Sequence, residues 1–153
     1  MPGTPEERLA ELGLAIPASS PPKANYTNCV QVGTLLFVAG KGPSDLSLKG
    51  KLGREFSTTE GAAIARGVGL EVLGAVREYL GTLDRVRRVV RVQAFINATE
   101  EYDEHHIALD GFSDLMVDVF GDAGIHTRSV FGAMSLRGSL PLITECIFEV
   151  AES

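Results

Sequence analysis

One long helix that carries four glycines is predicted between residues 57 and 81. Ser57 and Glu60 have the spacing of a capping box, in which each side chain satisfies a backbone N–H of the other residue, and Gly81 is a typical helix end. A glycine inside a helix costs about 1 kcal/mol relative to alanine, and this helix contains Gly61, Gly67, Gly69 and Gly74. Close packing against a sheet would offset that cost, so we expect an inward face of Ala65, Val68, Val72 and Val76.

The other patterns place strands and a second helix around this one. Segments rich in β-branched residues predict strands at Cys29–Val32, Leu35–Ala39, Arg85–Ile96, Arg128–Ser135 and Ile143–Val150. The second helix is predicted from about Tyr102 to Phe120. This order favours the α+β class, with a mixed sheet covered on one face by two helices. No helix is left for the other face, so we expect oligomerisation through the sheet.

The strand Arg85–Ile96 is the longest of the five and has two distinguishable faces. Strict alternation of side chains places five aliphatic residues on one face: Val86, Val90, Val92, Ala94 and Ile96. The same alternation places Val89 on the opposite face, among arginines. The aliphatic face is therefore the one expected to pack against the helices.

A short helix and a proline-rich connector are predicted before the first strand. Thr4 can cap a helix whose first residue is Pro5, and Gly13 ends it. We expect one domain over residues 1–153, with residues 1–25 as N-terminal helix and connector. The polar, acidic start is unlike a signal peptide, and no apolar run approaches the roughly 20 residues that span a bilayer. The expected location is therefore the cytoplasm.

The charge of the chain bears on its partners. A formal net charge of -6 argues against nucleic acid, because binding to phosphates needs clustered lysine and arginine. The arginines of the long strand alternate with aliphatic residues, which favours a solvated or inter-subunit face. We expect small molecules and other protein chains as partners, and neither nucleic acid nor a membrane.

No metal or cofactor site is predicted. Cys29 and Cys146 lie in apolar, strand-like segments without metal-ligand spacing, and they are interpreted as small core residues. His105 and His106 are adjacent on a helix and point about 100° apart, so they cannot easily share a metal. His126 lies in a loop just before Arg128, where it could contact a ligand, although an ordinary loop residue is the favoured interpretation.

Arg128 is the residue most suited to bind a ligand. Its planar guanidinium can hold a carboxylate through two parallel hydrogen bonds, which lysine cannot do. The alternative is a structural ion pair, and both Glu145 and Asp110 are candidate partners for it. The residue types alone leave both interpretations open.

The order of these motifs resembles the RidA (YjgF-type) family, formerly labelled endoribonuclease L-PSP. The segment Leu35–Gly40 resembles the family's strand that ends in Ser-Gly-Gln, and the Arg128-Ser129 strand opening and the closing Glu145–Val150 also match. The resemblance implies a chorismate mutase-like fold and a homotrimer whose strands form a central barrel. It also implies ligand pockets between subunits, where members hydrolyse enamine and imine intermediates to 2-keto acids and ammonia.

Individual roles follow from the same resemblance. Arg128 matches the arginine that holds the substrate carboxylate, while Tyr26 and Gly40 match residues that line the pocket. The family's water-positioning glutamate falls on Ile143, which cannot perform that role. Glu145 matches a second family acid about 6.6 Å further along the strand. No catalytic residue is therefore assigned.

Other departures from the family pattern affect the same region. Asp110 stands where asparagine is frequent, and its charge would oppose anion binding. Ala39 replaces a serine, and Arg137 replaces a proline. The candidate substrate-binding residues are Arg128, Tyr26, Gly40, Asp110 and Glu145. Two hypotheses remain: a binder of small carboxylate-bearing metabolites at an inter-subunit cleft, whose active form would hydrolyse imines, or a non-catalytic sensor or interaction module on the same trimer.

Overall fold

The computed structural model describes residues 3–152, so the parts of the predicted leader and domain at residues 1, 2 and 153 lie outside the described residues. The helices and strands are α1 (Pro5–Leu12), β1 (Cys29–Val32), β2 (Leu35–Lys41), α2 (Thr58–Leu80), β3 (Val86–Asn97), α3 (His105–Phe120), β4 (Thr127–Ala133) and β5 (Leu142–Val150). Short 3-10 turns at Leu83–Arg85, Gly121–Gly124 and Arg137–Ser139 precede β3, β4 and β5.

The five strands form one mixed sheet in the order β1-β2-β5-β3-β4. The β3–β4 pair is parallel, whereas the other three pairs are antiparallel. The parallel pair is connected through α3, as a crossover between parallel strands requires. β1 and β4 are the two edges of the sheet, and β5 lies between β2 and β3 at its centre.

Helices α2 and α3 pack on one face of the sheet, as the sequence predicted. The capping box of Ser57 and Glu60 is present, and Gly81 ends α2 in the left-handed conformation with φ 86°. The four residues expected to face inward are fully buried: Ala65, Val68, Val72 and Val76. The α+β arrangement with two helices on one face is therefore confirmed.

The opposite face of the sheet is open in the single chain. Large apolar side chains on this face of β1, β2 and β4 are 39–63% exposed: Val30, Val32, Leu35, Phe37 and Phe131. They alternate along the strands with buried residues of the helix-covered face, such as Leu36 and Val38. Several large apolar side chains exposed on one face are typical of a protein–protein interface.

The predicted faces of the long strand are partly wrong. Val89 is fully buried and Val90 is partly exposed, the reverse of the prediction. The register with β5 shifts between Val86 and Arg88 and again between Val89 and Arg91. Such bulges insert an extra residue and change which side chains face the core. Beyond them, Val92, Ala94 and Ile96 are buried as expected.

Helix α1 is capped as predicted and is held against the main body by Glu6. Thr4 and Glu7 form a capping box, and Gly13 ends the helix. The Glu6 carboxylate accepts hydrogen bonds from the Arg77 guanidinium at 2.6 Å and from the Leu83 N–H at 2.8 Å. Among the described residues, no helix is long and apolar enough to cross a membrane.

Candidate functional site

Arg128 lies on the edge strand β4 and faces helix α3. In the sheet it pairs with Val92 of the helix-covered face. Its Nη1 atom lies 3.0 Å from Asp110 Oδ1 and donates a hydrogen bond to Ser113 Oγ at 3.1 Å. Its Nη2 atom donates to the His106 carbonyl at 3.2 Å. The guanidinium is therefore oriented by three groups of one helix.

The ion pair between Arg128 and Asp110 is accessible to solvent. The side chains of Arg128 and Asp110 are 27% and 53% exposed, respectively. Pairs of this kind contribute about 0–1 kcal/mol, because water screens them and ordering two long side chains costs entropy. A guanidinium has five N–H donors, and the contacts with Ser113, His106 and Asp110 engage three of them. Arg128 can therefore bind an incoming carboxylate with its remaining donors.

His126 supports Arg128 through Ser113, a role that its interpretation as a loop residue did not include. The His126 Nδ1 atom lies 2.6 Å from the Gly124 carbonyl, which can only accept, so Nδ1 carries the hydrogen. Nε2 then accepts from the Ser113 hydroxyl at 2.9 Å. Burial lowers the pKa of His126, and Arg128 adds to this, against the opposing effect of the Gly124 carbonyl. The neutral imidazole thus fixes the hydroxyl that receives the Arg128 hydrogen bond.

Glu145 is separated from Arg128 by the sheet. Glu145 pairs with Gln93, and its neighbour Cys146 pairs with Val92, the residue beside Arg128. Successive residues of a strand point to opposite faces, so Glu145 projects from the open face and is exposed. Of the two ion pairs that the sequence left open, the structure contains the one with Asp110.

Tyr26 and Gly40 lie elsewhere. They line a cavity of about 710 Å³ beside the C-terminal end of β2. Ile143 of β5 also lines this cavity. A methyl group built on Gly40 would lie 3.1 Å from Ile143 Cγ2, so this glycine keeps space open beside the isoleucine. Neither Arg128 nor Asp110 lines the cavity.

The candidate residues therefore form two half-sites in one chain. One consists of Arg128 and Asp110 at the β4 edge, and the other contains Tyr26 and Gly40 near β2. Glu145 belongs to neither half-site, since it projects from the open face between them.

Several residues of both half-sites were not identified from the sequence. Ser113 lies three residues after Asp110, a spacing that places both on one helix face, and this signal was available. Lys23, Lys41 and Arg137 also line the cavity, and only the tertiary fold brings them together. Within residues 3–152, no group of three or more His, Cys, Asp or Glu side chains could hold a metal ion.

Comparison with known proteins places the chain in a family. The model of the YjgF/chorismate mutase-like endoribonuclease family matches residues 6–151. The Trypanosoma cruzi protein TCP17 is 37% identical over 146 residues, which are 93% of this chain and 91% of that protein. A crystal structure of an endoribonuclease-family protein of Shewanella oneidensis is 30% identical, with a TM-score of 0.93 over 97% of this chain and 100% of the other.

A more distant neighbour is E. coli TdcF, whose structure was solved with bound serine. It is 18% identical, with a TM-score of 0.60 over 88% of this chain and 94% of TdcF, and this likeness concerns the fold alone. The family match spans nearly the whole chain, and the Shewanella structure shares its fold. The chain therefore belongs to the YjgF/chorismate mutase-like (RidA-type) family.

Proposed function

We propose that this protein binds small carboxylate-bearing metabolites in a cleft formed where two copies of the chain meet. The observation that carries the proposal is the separation of the two half-sites. Arg128 lies at the β4 edge, and the cavity of Tyr26 and Gly40 lies toward the β1–β2 edge. A head-to-tail contact that joins unlike edges forms a ring where its rotation closes, and a ring of this kind is the assembly that we propose. In such a ring each cleft takes Arg128 from one copy and the cavity from the next.

The open face of the sheet supports the same assembly. Its exposed apolar side chains, including Phe37 and Phe131, would be buried inside a ring of three sheets. Burying such surface contributes about 25 cal/mol for each Å² removed from water. A homotrimer with a central barrel, as the family resemblance implies, is therefore the proposed assembly.

The Arg128 half-site suits a carboxylate ligand. The ligand would replace or join Asp110, whose screened pair with Arg128 is weak. Ser113 and the His106 carbonyl hold the guanidinium in place without neutralising it. The serine bound to TdcF, a protein of the same fold, carries a carboxylate of the proposed kind.

Binding, rather than rapid imine hydrolysis, is the activity that we assign. The family's water-positioning acid corresponds to Ile143, which lines the cavity with an apolar side chain. No aspartate or glutamate is among the described residues that line the cavity. Without a carboxylate there to position the attacking water, the contribution that such a group makes to general acid–base catalysis, about 10²–10⁴-fold, is lost.

Calorimetry with 2-oxobutanoate tests the binding proposal. Arg128→Gln should weaken binding at least about tenfold, because a charge-assisted hydrogen bond contributes about 1.5–3 kcal/mol. Arg66→Gln is the matched control, since Arg66 forms a similarly exposed pair with Asp118 at 3.0 Å. Equal affinity in the wild type and both variants would contradict the proposal.

A coupled assay tests the catalytic part. A dehydratase acting on serine or threonine generates the enamine, and keto-acid release is followed with and without this protein. We expect release at nearly the uncatalysed rate. A large acceleration that Arg128→Ala abolishes would overturn the assignment as a binder and establish a deaminase.

A further inference from the structure

The cavity that contains Tyr26 is positively charged, although the whole chain has a formal net charge of -6. Lys23, Lys41 and Arg137 all line it, and no described carboxylate does. The three cations come from separate segments: the connector before β1, the end of β2 and the turn before β5. Their convergence is a product of the tertiary fold, which distinguishes it from a charged run on a solvated helix.

None of the three cations has an ion pair within the described part of the chain. Lys41 Nζ donates to the neutral Asn28 side chain at 2.7 Å. Asn28 is itself fixed, because its amide donates to Ser19 Oγ at 3.0 Å and to the Ser20 carbonyl at 2.8 Å. The ammonium is thus held in position while its charge stays uncompensated.

Asp45 is the acidic residue next to this region in sequence, but it does not line the cavity, and Ser47 holds its carboxylate. Asp45 Oδ1 accepts from the Ser47 hydroxyl at 2.6 Å and from the Ser47 N–H at 3.0 Å. Apolar side chains of Leu46, Leu140 and Ile143 also line the cavity, together with Tyr26 and several smaller residues. The cavity therefore suits a molecule with a short apolar body and a terminal anionic group.

We infer that the ligand is a short dicarboxylate, with its second carboxylate bound by Lys41 and Arg137. The inference rests on the proposed function, in which Arg128 of an adjoining copy binds the first carboxylate. Lys41 has three N–H donors, and Asn28 takes one of them. A second carboxylate supplies the charge that the cavity lacks, and the apolar walls contact the carbon chain between the two ends.

The test compares 2-oxoglutarate with 2-oxopentanoate, which have the same number of carbons and differ at the terminal carboxylate or methyl group. We expect the wild type to bind 2-oxoglutarate at least about tenfold more tightly than 2-oxopentanoate. The second carboxylate forms charge pairs with Lys41 and Arg137 that the cavity partly shields from water. Lys41→Gln and Arg137→Leu should each weaken the binding of 2-oxoglutarate more than that of 2-oxopentanoate and so reduce that preference. Arg54→Gln removes an exposed charge outside the cavity and should leave the preference intact.

Two further measurements separate the possible failures. Raising the ionic strength should reduce the preference of the wild type for 2-oxoglutarate, a check that needs no variant to fold. Equal affinities for the two acids, or a preference that survives the combined Lys41→Gln and Arg137→Leu change, would overturn the dicarboxylate inference alone. Unchanged 2-oxopentanoate binding by Arg128→Gln would instead overturn the proposed function.

Discussion

Replacing Gly111 by alanine should destabilise the protein, although the same change at an open helical position should stabilise it. Gly111 lies where α3 crosses α2, and a methyl group built there would meet the Ala62 carbonyl oxygen. The methyl carbon would also fall 2.7 Å from the Ala62 carbonyl carbon and 3.0 Å from its Cα. Because all three atoms belong to the backbone, only a separation of the two helices can relieve the clash.

Two opposing effects set the size of the change. Alanine in place of glycine in a helix contributes about 1 kcal/mol. Overpacking typically costs about 1–3 kcal/mol, and separating the helices also weakens the packing of the buried Phe112 and Leu115. Because the clash involves rigid backbone atoms, we expect the overpacking cost to lie at the upper end of that range. We expect Gly111→Ala to lower the free energy of unfolding by about 1–2 kcal/mol.

Gly67→Ala is the matched control, since no atom lies within 4 Å of a methyl group built on Gly67 of α2. It should raise the free energy of unfolding by up to about 1 kcal/mol. Urea unfolding followed by circular dichroism, at one fixed protomer concentration, measures both variants. The midpoint should fall for Gly111→Ala and rise for Gly67→Ala, with similar slopes. A midpoint for Gly111→Ala at or above that of the wild type would refute the close contact.

Three further outcomes are expected. Ile143→Glu should raise keto-acid release from the dehydratase-generated enamine by on the order of tenfold or more; no increase would show that more than this acid is missing. Because burial lowers the pKa of His126 from its usual 6.5, the unfolded chain binds that proton more readily, so stability should fall as the pH falls below about 6.5. His126→Asn should make the stability less dependent on pH. A variant whose stability follows the same pH profile as the wild type would contradict this prediction. Burial raises the pKa of Cys29 to about 11 and raises that of Cys146 as well, so a thiol reagent should label both only in urea; rapid labelling of the folded protein would contradict this.

Local patterns predicted the helices well, because their determinants lie within one or two turns. The capping boxes at Thr4 and Ser57 and the ending glycines Gly13 and Gly81 set the limits of α1 and α2. The faces of β3 were harder to predict, since its two bulges depend on pairing with β5. Val89 and Val90 therefore exchanged places relative to simple alternation.

The sequence allowed candidate site residues to be named, but it did not predict how they are arranged in space. Arg128 and Asp110 could be named from the sequence, and their contact at 3.0 Å depends on how α3 packs beside β4. The separation of Arg128 from Glu145 follows from the register of β3 with its two neighbours, which no local pattern encodes. The cavity cations were missed for the same reason, because only the tertiary fold places Lys41 and Arg137 around one cavity.

The central position of β5 has a consequence for synthesis of the chain. Before β5 is made, the hairpin β1–β2 and the pair β3–β4 share no backbone hydrogen bonds, because β5 is the strand that joins them. A nascent chain that ends before residue 142 thus carries two separate half-sheets with unpaired edges. The sheet can close only after Leu142–Val150 has left the ribosome, so its two parts should join in one step that depends on β5. Ribosome stalling within β5 would leave exposed strand edges available to chaperones.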